Sequence, residues 1–278
     1  MSLHRIATKF YSEPWLIRED QHASMGKVLH SHLMGRVNTA HAAPVERTSP
    51  PPGVLIADGF ALNRVAGVIG KHLSFMEMEC GGGYDLALLE RQCAELKQRD
   101  DVHTVVTTFN TPGGIATSVG EGAELIRELA ETKRTIAYVD NMACSAGYYL
   151  ASACDEIYAG PSAIVGSISA YIAILDESRA WEMDGLKMEL FTDGDLKAGG
   201  MPGKTLSDKQ RAFFQERVTQ VGGEFKAFVR SRRPHLAEAM YQGGYYSGQG
   251  ALDAGLVDGF FLTIDHLFAN LIDTAANA

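Results

Sequence analysis

The stretch from Thr135 to Ala159, TIAYVDNMACSAGYYLASACDEIYA, decides the fold class. Thr135–Asp140 is short, apolar and partly β-branched, which reads as a buried strand. Ser145–Ala153 is a run of small residues that reads as a buried helix, and Glu156–Ala159 returns as a strand. A strand, a helix and a strand in close succession predict a crossover between parallel strands. The same alternation continues upstream. Val54–Leu62 reads as a strand with a turn, Tyr84–Gln98 as an amphipathic helix, Val102–Phe109 as a strand, Asn110–Gly114 as a turn, and Val119–Thr132 as a second helix. Downstream, residues 207–233 read as one long charged helix. The pattern is that of an α/β protein without an internal repeat.

Residues 1–37 form an amphipathic preface, and residues 38–53, rich in Pro and Ala, read as a linker. The expected organisation is therefore an N-terminal helical segment and linker over residues 1–53, followed by one domain over residues 54–278. His22, His30 and His32 cluster in the preface; their spacing fits a solvated helix face rather than a metal site.

With 278 residues, 46% of them hydrophobic, the chain can bury a core without disulfide staples. Its formal charge of -9 argues against a general nucleic-acid binder, which needs a basic surface to neutralise phosphates. Cys80, Cys93, Cys144 and Cys154 show no C-x-x-C spacing and read as free thiols. The start of the chain has no long apolar run, and no stretch approaches the roughly 18 apolar residues of a membrane span. The expectation is a protein without a membrane anchor, kept in the cytoplasm.

Three places can carry chemistry. Ser145 stands at a strand-to-helix junction, where the first amides of the helix lack partners and favour negative charge. Such a serine is read either as a nucleophile on a sharp turn or as the N-cap of a buried helix. Asn110-Thr-Pro-Gly-Gly follows a strand, and its glycines can expose amides of the kind that hold the oxyanion in acyl transfer; losing one such donor raises the barrier by about 3 kcal/mol. The same residues also make an ordinary Pro-Gly turn. For a base, no histidine lies between His103 and His235, and His103 begins a strand at the end opposite the turn. Lysine is the alternative, since an apolar pocket disfavours its charged form and lets it accept a proton. Lys197 lies in the glycine-rich segment Phe191-Thr-Asp-Gly-Asp-Leu-Lys-Ala-Gly-Gly, where it is also read as a solvated surface residue.

Five blocks in order resemble the signal peptide peptidase A family: the Pro112-Gly-Gly turn, Cys144-Ser-Ala-Gly-Tyr-Tyr-Leu-Ala-Ser-Ala-Cys-Asp-Glu-Ile-Tyr-Ala, Gly166-Ser-Ile-Ser, Leu196-Lys-Ala-Gly, and Tyr246-Ser-Gly-Gln-Gly-Ala-Leu-Asp-Ala-Gly-Leu-Val-Asp. The similarity runs from about Val54 to about Phe261. It implies a ClpP/crotonase-type spiral of repeated ββα units and a serine peptidase with a Ser/Lys dyad. By that resemblance Ser145 is the nucleophile and Lys197 the general base. Gly113 and Gly114 supply one oxyanion donor and the Ala146 amide the other, and Ser167 helps position the lysine. The chain departs from the family at Thr111, where Ser is frequent, and at Ala146, where Gly is frequent.

The start of the chain, with Glu13-Pro-Trp-Leu-Ile and a helix after it, resembles the phage branch of that family, the lambda C protein-like capsid-maturation proteases. That branch implies scaffold and capsid-assembly proteins as substrates, inside the host cytoplasm or procapsid. Family members assemble into homo-oligomers whose active sites can draw residues from neighbouring subunits, which leaves Lys197 to act in cis or in trans. No metal or cofactor is implied. The alternatives are a cytoplasmic bacterial enzyme that degrades peptides, a crotonase-type acyl-CoA enzyme without a serine nucleophile, and an assembly protein on an inactive peptidase fold. For the last, Arg230, Arg232 and Arg233 at the end of the long helix are the candidate contact; a solvated helix end is the plainer reading.

Overall fold

A computed structural model of the chain describes residues 10, 11, 13–33, 54–73, 78 and 82–276. The Pro-rich stretch 38–53 lies outside the described residues, as does Cys80. In chain order the elements are β1 (Trp15–Ile17), α1 (Glu19–Leu33), β2 (Leu55–Ala57), β3 (Phe60–Ala66), β4 (Val68–Gly70), β5 (Gly83–Asp85), α2 (Leu86–Lys97), β6 (Thr104–Thr111), β7 (Gly113–Ile115) and α3 (Val119–Ala130). They continue with β8 (Arg134–Cys144), α4 (Ala146–Ala151), β9 (Glu156–Ala159), β10 (Ile164–Gly166), α5 (Ser178–Met183), α6 (Asp208–Arg232), β11 (Tyr245–Ser247), α7 (Gly248–Asp253), β12 (Gly259–Phe260) and α8 (Ile264–Ala276).

The larger sheet runs β11-β10-β8-β6-β3-β2, with β9 and β12 continuing from β8. Its centre is parallel: β3 with β6, β6 with β8, and β8 with both β9 and β10. The smaller sheet runs β1-β7-β4-β5. The two sheets are joined by the chain itself. β3 passes through Gly67 into β4, and β6 passes through Pro112 into β7, each time ahead of a helix. Two successive ββα units are thereby laid down in a mixed α/β fold with parallel sheets. The corner at Gly67 requires glycine, because its φ is +89° and a Cβ there would fall 1.5 Å from the Gly82 carbonyl oxygen.

Helices α2 and α3 bury Leu86, Leu89 and Leu96, and Val119, Ala123 and Ile126, respectively. Together with Val105, Phe109 and Val139 of the central strands they form the main core. Helix α4 is buried at every position, with Ala146 and Gly147 at its head and the larger Tyr148, Tyr149 and Leu150 packed into the main core.

Two expectations are corrected by the fold. The strand predicted to stop at Asp140 runs on to Cys144, because Met142–Cys144 pair with Ile164–Gly166 of β10. The turn predicted over Asn110–Gly114 shrinks to Pro112, since Asn110 and Thr111 end β6 and Gly113 begins β7.

Candidate active site

Ser145 is the single residue between β8 and α4. Its backbone is left-handed, with φ 53° and ψ −115°, a conformation that costs a non-glycine residue energy. The bend is held from both sides: the Ser145 amide donates to the Gly166 carbonyl at 2.8 Å, and the Tyr149 amide donates to the Ser145 carbonyl at 2.9 Å. The side chain does not cap the helix. Its Oγ is buried and has no hydrogen-bond partner among the described residues. An N-cap role is thereby removed, and a strained serine with an unused hydroxyl remains at the head of a buried helix.

The Pro112-Gly-Gly corner lies against this helix. A Cβ on Gly147 would sit 2.4 Å from Thr111 Cγ2, so the helix approaches the corner as closely as glycine allows. The Thr111 hydroxyl donates to the Gly67 carbonyl at 2.6 Å and accepts the Gly113 amide at 3.1 Å. Gly113 has φ +110°, and Gly114 pairs with Leu16 of β1 and Ile69 of β4. Ala146, the first residue of α4, is fully buried.

Ser167 follows Gly166 directly. It too is left-handed, with φ 55°, and its amide donates to the Gly244 carbonyl at 2.7 Å. Ser145, Gly113, Gly114, Ala146 and Ser167 are thus gathered around the C-terminal ends of β6, β8 and β10. Lys197 is not. It is exposed in a turn, where its amide donates to the Gly194 carbonyl at 3.0 Å and its carbonyl accepts from Gln210 Nε2 at 3.4 Å. The segment around it exposes Met183, Phe191 and Leu196, with Phe191 90% accessible.

The candidate histidine bases fall elsewhere. His103 packs on Phe60 at the start of β6, roughly 25 Å of strand from the corner. His22 is not on a solvated helix face as its spacing suggests. It is buried among Phe10, Trp15 and Tyr171, its Nε2 unpartnered and its pKa pushed down by burial. Periodicity misses this because the aromatic rings that cover it, Phe10, Trp15 and Tyr171, all lie outside the helix that carries it.

The remaining cysteines Cys93, Cys144 and Cys154 are free and buried, and burial pushes the Cys144 thiol up to about 12. The cluster at the end of α6 is only in part a solvated end: Arg230 is exposed, Arg232 half-buried and Arg233 buried. Arg230 pairs with Glu238, Arg232 donates to the Ala153 carbonyl at 3.1 Å, and Arg233 forms two bonds of 2.9 and 2.8 Å to Asp258. Asp258 also accepts the Ile157 amide at 2.7 Å, and Tyr148 of α4 donates to the Leu256 carbonyl at 2.9 Å. The Leu256-Val-Asp block therefore clamps the helix that carries Ser145.

The described residues contain no helix long and apolar enough to cross a membrane. Residues 127–274 match the model of peptidase family S49, which spans more than half of the chain. The chain belongs to peptidase family S49.

Capsid assembly protease C of Escherichia phage lambda is 28% identical over 206 residues, covering 73% of this chain and 46% of that protein. A probable protease SohB of Haemophilus influenzae is 30% identical over 175 residues, covering 62% and 49%. A putative protease of Methanocaldococcus jannaschii, MJ0651, is 27% identical over 168 residues, covering 59% and 54%. The chain spans about half the length of these curated relatives. Among solved structures, a ClpP1 mutant from Listeria monocytogenes is 11% identical with a TM-score of 0.46, covering 74% of this chain and 94% of that one. An enoyl-CoA hydratase from Shewanella pealeana is 11% identical with a TM-score of 0.48, covering 80% and 72%.

Proposed function

We propose that the chain is a serine endopeptidase in which Ser145 attacks the scissile carbonyl. The observation that carries this reading is the left-handed Ser145, its hydroxyl unused, at the head of a buried helix that abuts a two-glycine corner. Amides of that corner, at Gly113 or Gly114, and the Ala146 amide hold the oxyanion; the acyl-enzyme is then released by water. Ser167, left-handed on the neighbouring strand end, positions the base.

The base is Lys197 of a neighbouring copy. Among the described residues Ser145 Oγ has no hydrogen-bond partner, and Lys197 stands on an exposed arm whose apolar residues, Met183 and Phe191 among them, call for a covering surface. A homo-oligomer in which the arm reaches the next subunit supplies both the base and the cover.

The substrates are scaffold and capsid-assembly proteins. What favours this over general peptide degradation is the reach of the phage matches. The lambda protein and head-tail preconnector protein GP5 of phage P21 match over 73% and 80% of the chain, against 62% for SohB of Haemophilus influenzae. Co-expression with a candidate scaffold protein tests the reading on a gel. Wild type is expected to cleave it, and Ser145→Ala and Lys197→Ala are not; cleavage by Ser145→Ala refutes the nucleophile.

A further inference from the structure

Strand β1 runs between the Gly113–Ile115 strand and Tyr171. It is held on both sides by the elements that flank the serine. On one side Leu16 stands opposite Gly114 in an antiparallel pair, bracketed by Arg18 N–H donating to the Pro112 carbonyl at 3.0 Å and Ala116 N–H donating to the Pro14 carbonyl at 3.0 Å. On the other side Trp15 and Tyr171 exchange bonds of 2.8 and 3.2 Å, four residues beyond Ser167. The Arg18 guanidinium then reaches Cys144, next to the serine, and stacks on Tyr245 at 4.5 Å. Ser145 itself is only 1% exposed.

The alternation of β1 also divides its side chains. Leu16 joins the main core, while Trp15 and Ile17 face the aromatic cluster under α1. Antiparallel pairing through the main chain is indifferent to sequence, so an extended apolar segment with an aliphatic residue at the Leu16 position fits the same slot. With hydrogen bonds recurring at alternate residues of an antiparallel ladder, the Leu16 carbonyl falls to the Gly114 amide, one of the amides assigned above to the oxyanion.

We propose that the groove between β7 and Tyr171 is the site for an extended substrate strand with an aliphatic residue opposite Gly114, and that β1 is a built-in occupant which must leave before substrate enters. This rests on Ser145 being the nucleophile. The chain is then held inactive by its own N-terminal strand, and an incoming apolar strand regains the burial that β1 gives up.

A disulfide lock tests the occupancy. Trp15 and Ile115 form a non-hydrogen-bonded pair, whose Cα atoms stand about 4.5 Å apart in such ladders, within disulfide range. In Trp15→Cys/Ile115→Cys, the oxidised form is expected to cleave unfolded casein at least 10-fold more slowly than the same protein after reduction. Equal rates in the two forms overturn the proposal. Hydrogen exchange on the wild-type chain reads the motion without substitution or activity. The amides of Trp15–Ile17 are expected to exchange by local opening, faster than those of Val105–Phe109. Exchange of both sets at the same slow rate makes β1 a permanent strand and also overturns it. Casein cleavage that survives Ser145→Ala instead marks failure of the nucleophile assignment, and the exchange result still decides whether β1 leaves.

Discussion

The hydroxyl of Thr111 accepts a hydrogen bond from the Gly113 amide at 3.1 Å and donates one to the Gly67 carbonyl at 2.6 Å. One side chain thus fastens both inter-sheet corners beside Ser145. Thr111→Val keeps the shape and removes both bonds, leaving a buried amide and carbonyl unpaired at a cost of about 1–3 kcal/mol. Thr111→Ser keeps the hydroxyl, so it is expected to stay close to wild type. Urea denaturation of the pair, alongside wild type, separates loss of the bonds from loss of the methyl.

Gly147→Ala pushes a Cβ to 2.4 Å from Thr111 Cγ2, so the helix or the corner has to shift. Overpacking of this kind costs about 1–3 kcal/mol. Here it also moves the corner amides away from Ser145, so proteolytic activity is expected to fall by more than the lost stability explains. Thermal melting and cleavage rate measured on the same preparation check this.

Asp258→Ala leaves the buried Arg233 without its carboxylate partner and frees the Ile157 amide. Stranding a buried charge in this way is expected to destabilise the chain by ~3 kcal/mol. The double change Arg233→Met/Asp258→Ala, which removes the charge as well, is expected to recover part of that loss. A double-mutant cycle by denaturant unfolding gives the coupling.

Burial lowers the pKa of His22, so the packed imidazole is neutral and the released one takes a proton below about pH 6.5. Stability from this packing is complete above that value. It is lost as the pH falls toward the lowered folded-state pKa, by at most ~1.4 kcal/mol per pH unit. Unfolding of wild type and His22→Phe at pH 7.5, 6.5 and 5.5 is expected to show the extra acid sensitivity only in wild type.

Much of the architecture was legible in the sequence, since β9 follows its predicted bounds and the predicted helices over 84–98, 119–132 and 207–233 appear with trimmed ends. Ser145 and the glycine corner could be read because strand, small-residue helix and Pro-Gly-Gly are local patterns. What could not be read is non-local. The extension of β8 to Cys144 depends on β10, and the burial of His22 depends on rings from Phe10, Trp15 and Tyr171. The pairing of β1 with β7 joins residues almost a hundred positions apart, which no window of sequence reveals. Lys197 stays the least legible residue, because a lysine on an exposed arm has no local mark that separates a base from a solvated charge.

The mixing of two inactive variants tests the central claim most directly. Ser145→Ala copies retain Lys197, and Lys197→Ala copies retain Ser145, so an oligomer containing both holds complete sites only where a lysine reaches a neighbouring serine. Each variant alone is expected to leave casein uncut, and the two together, mixed and reassembled, are expected to cleave it. Cleavage by Ser145→Ala alone would contradict the account at its root; two silent variants that stay silent when mixed would contradict the placement of the base on the neighbouring subunit.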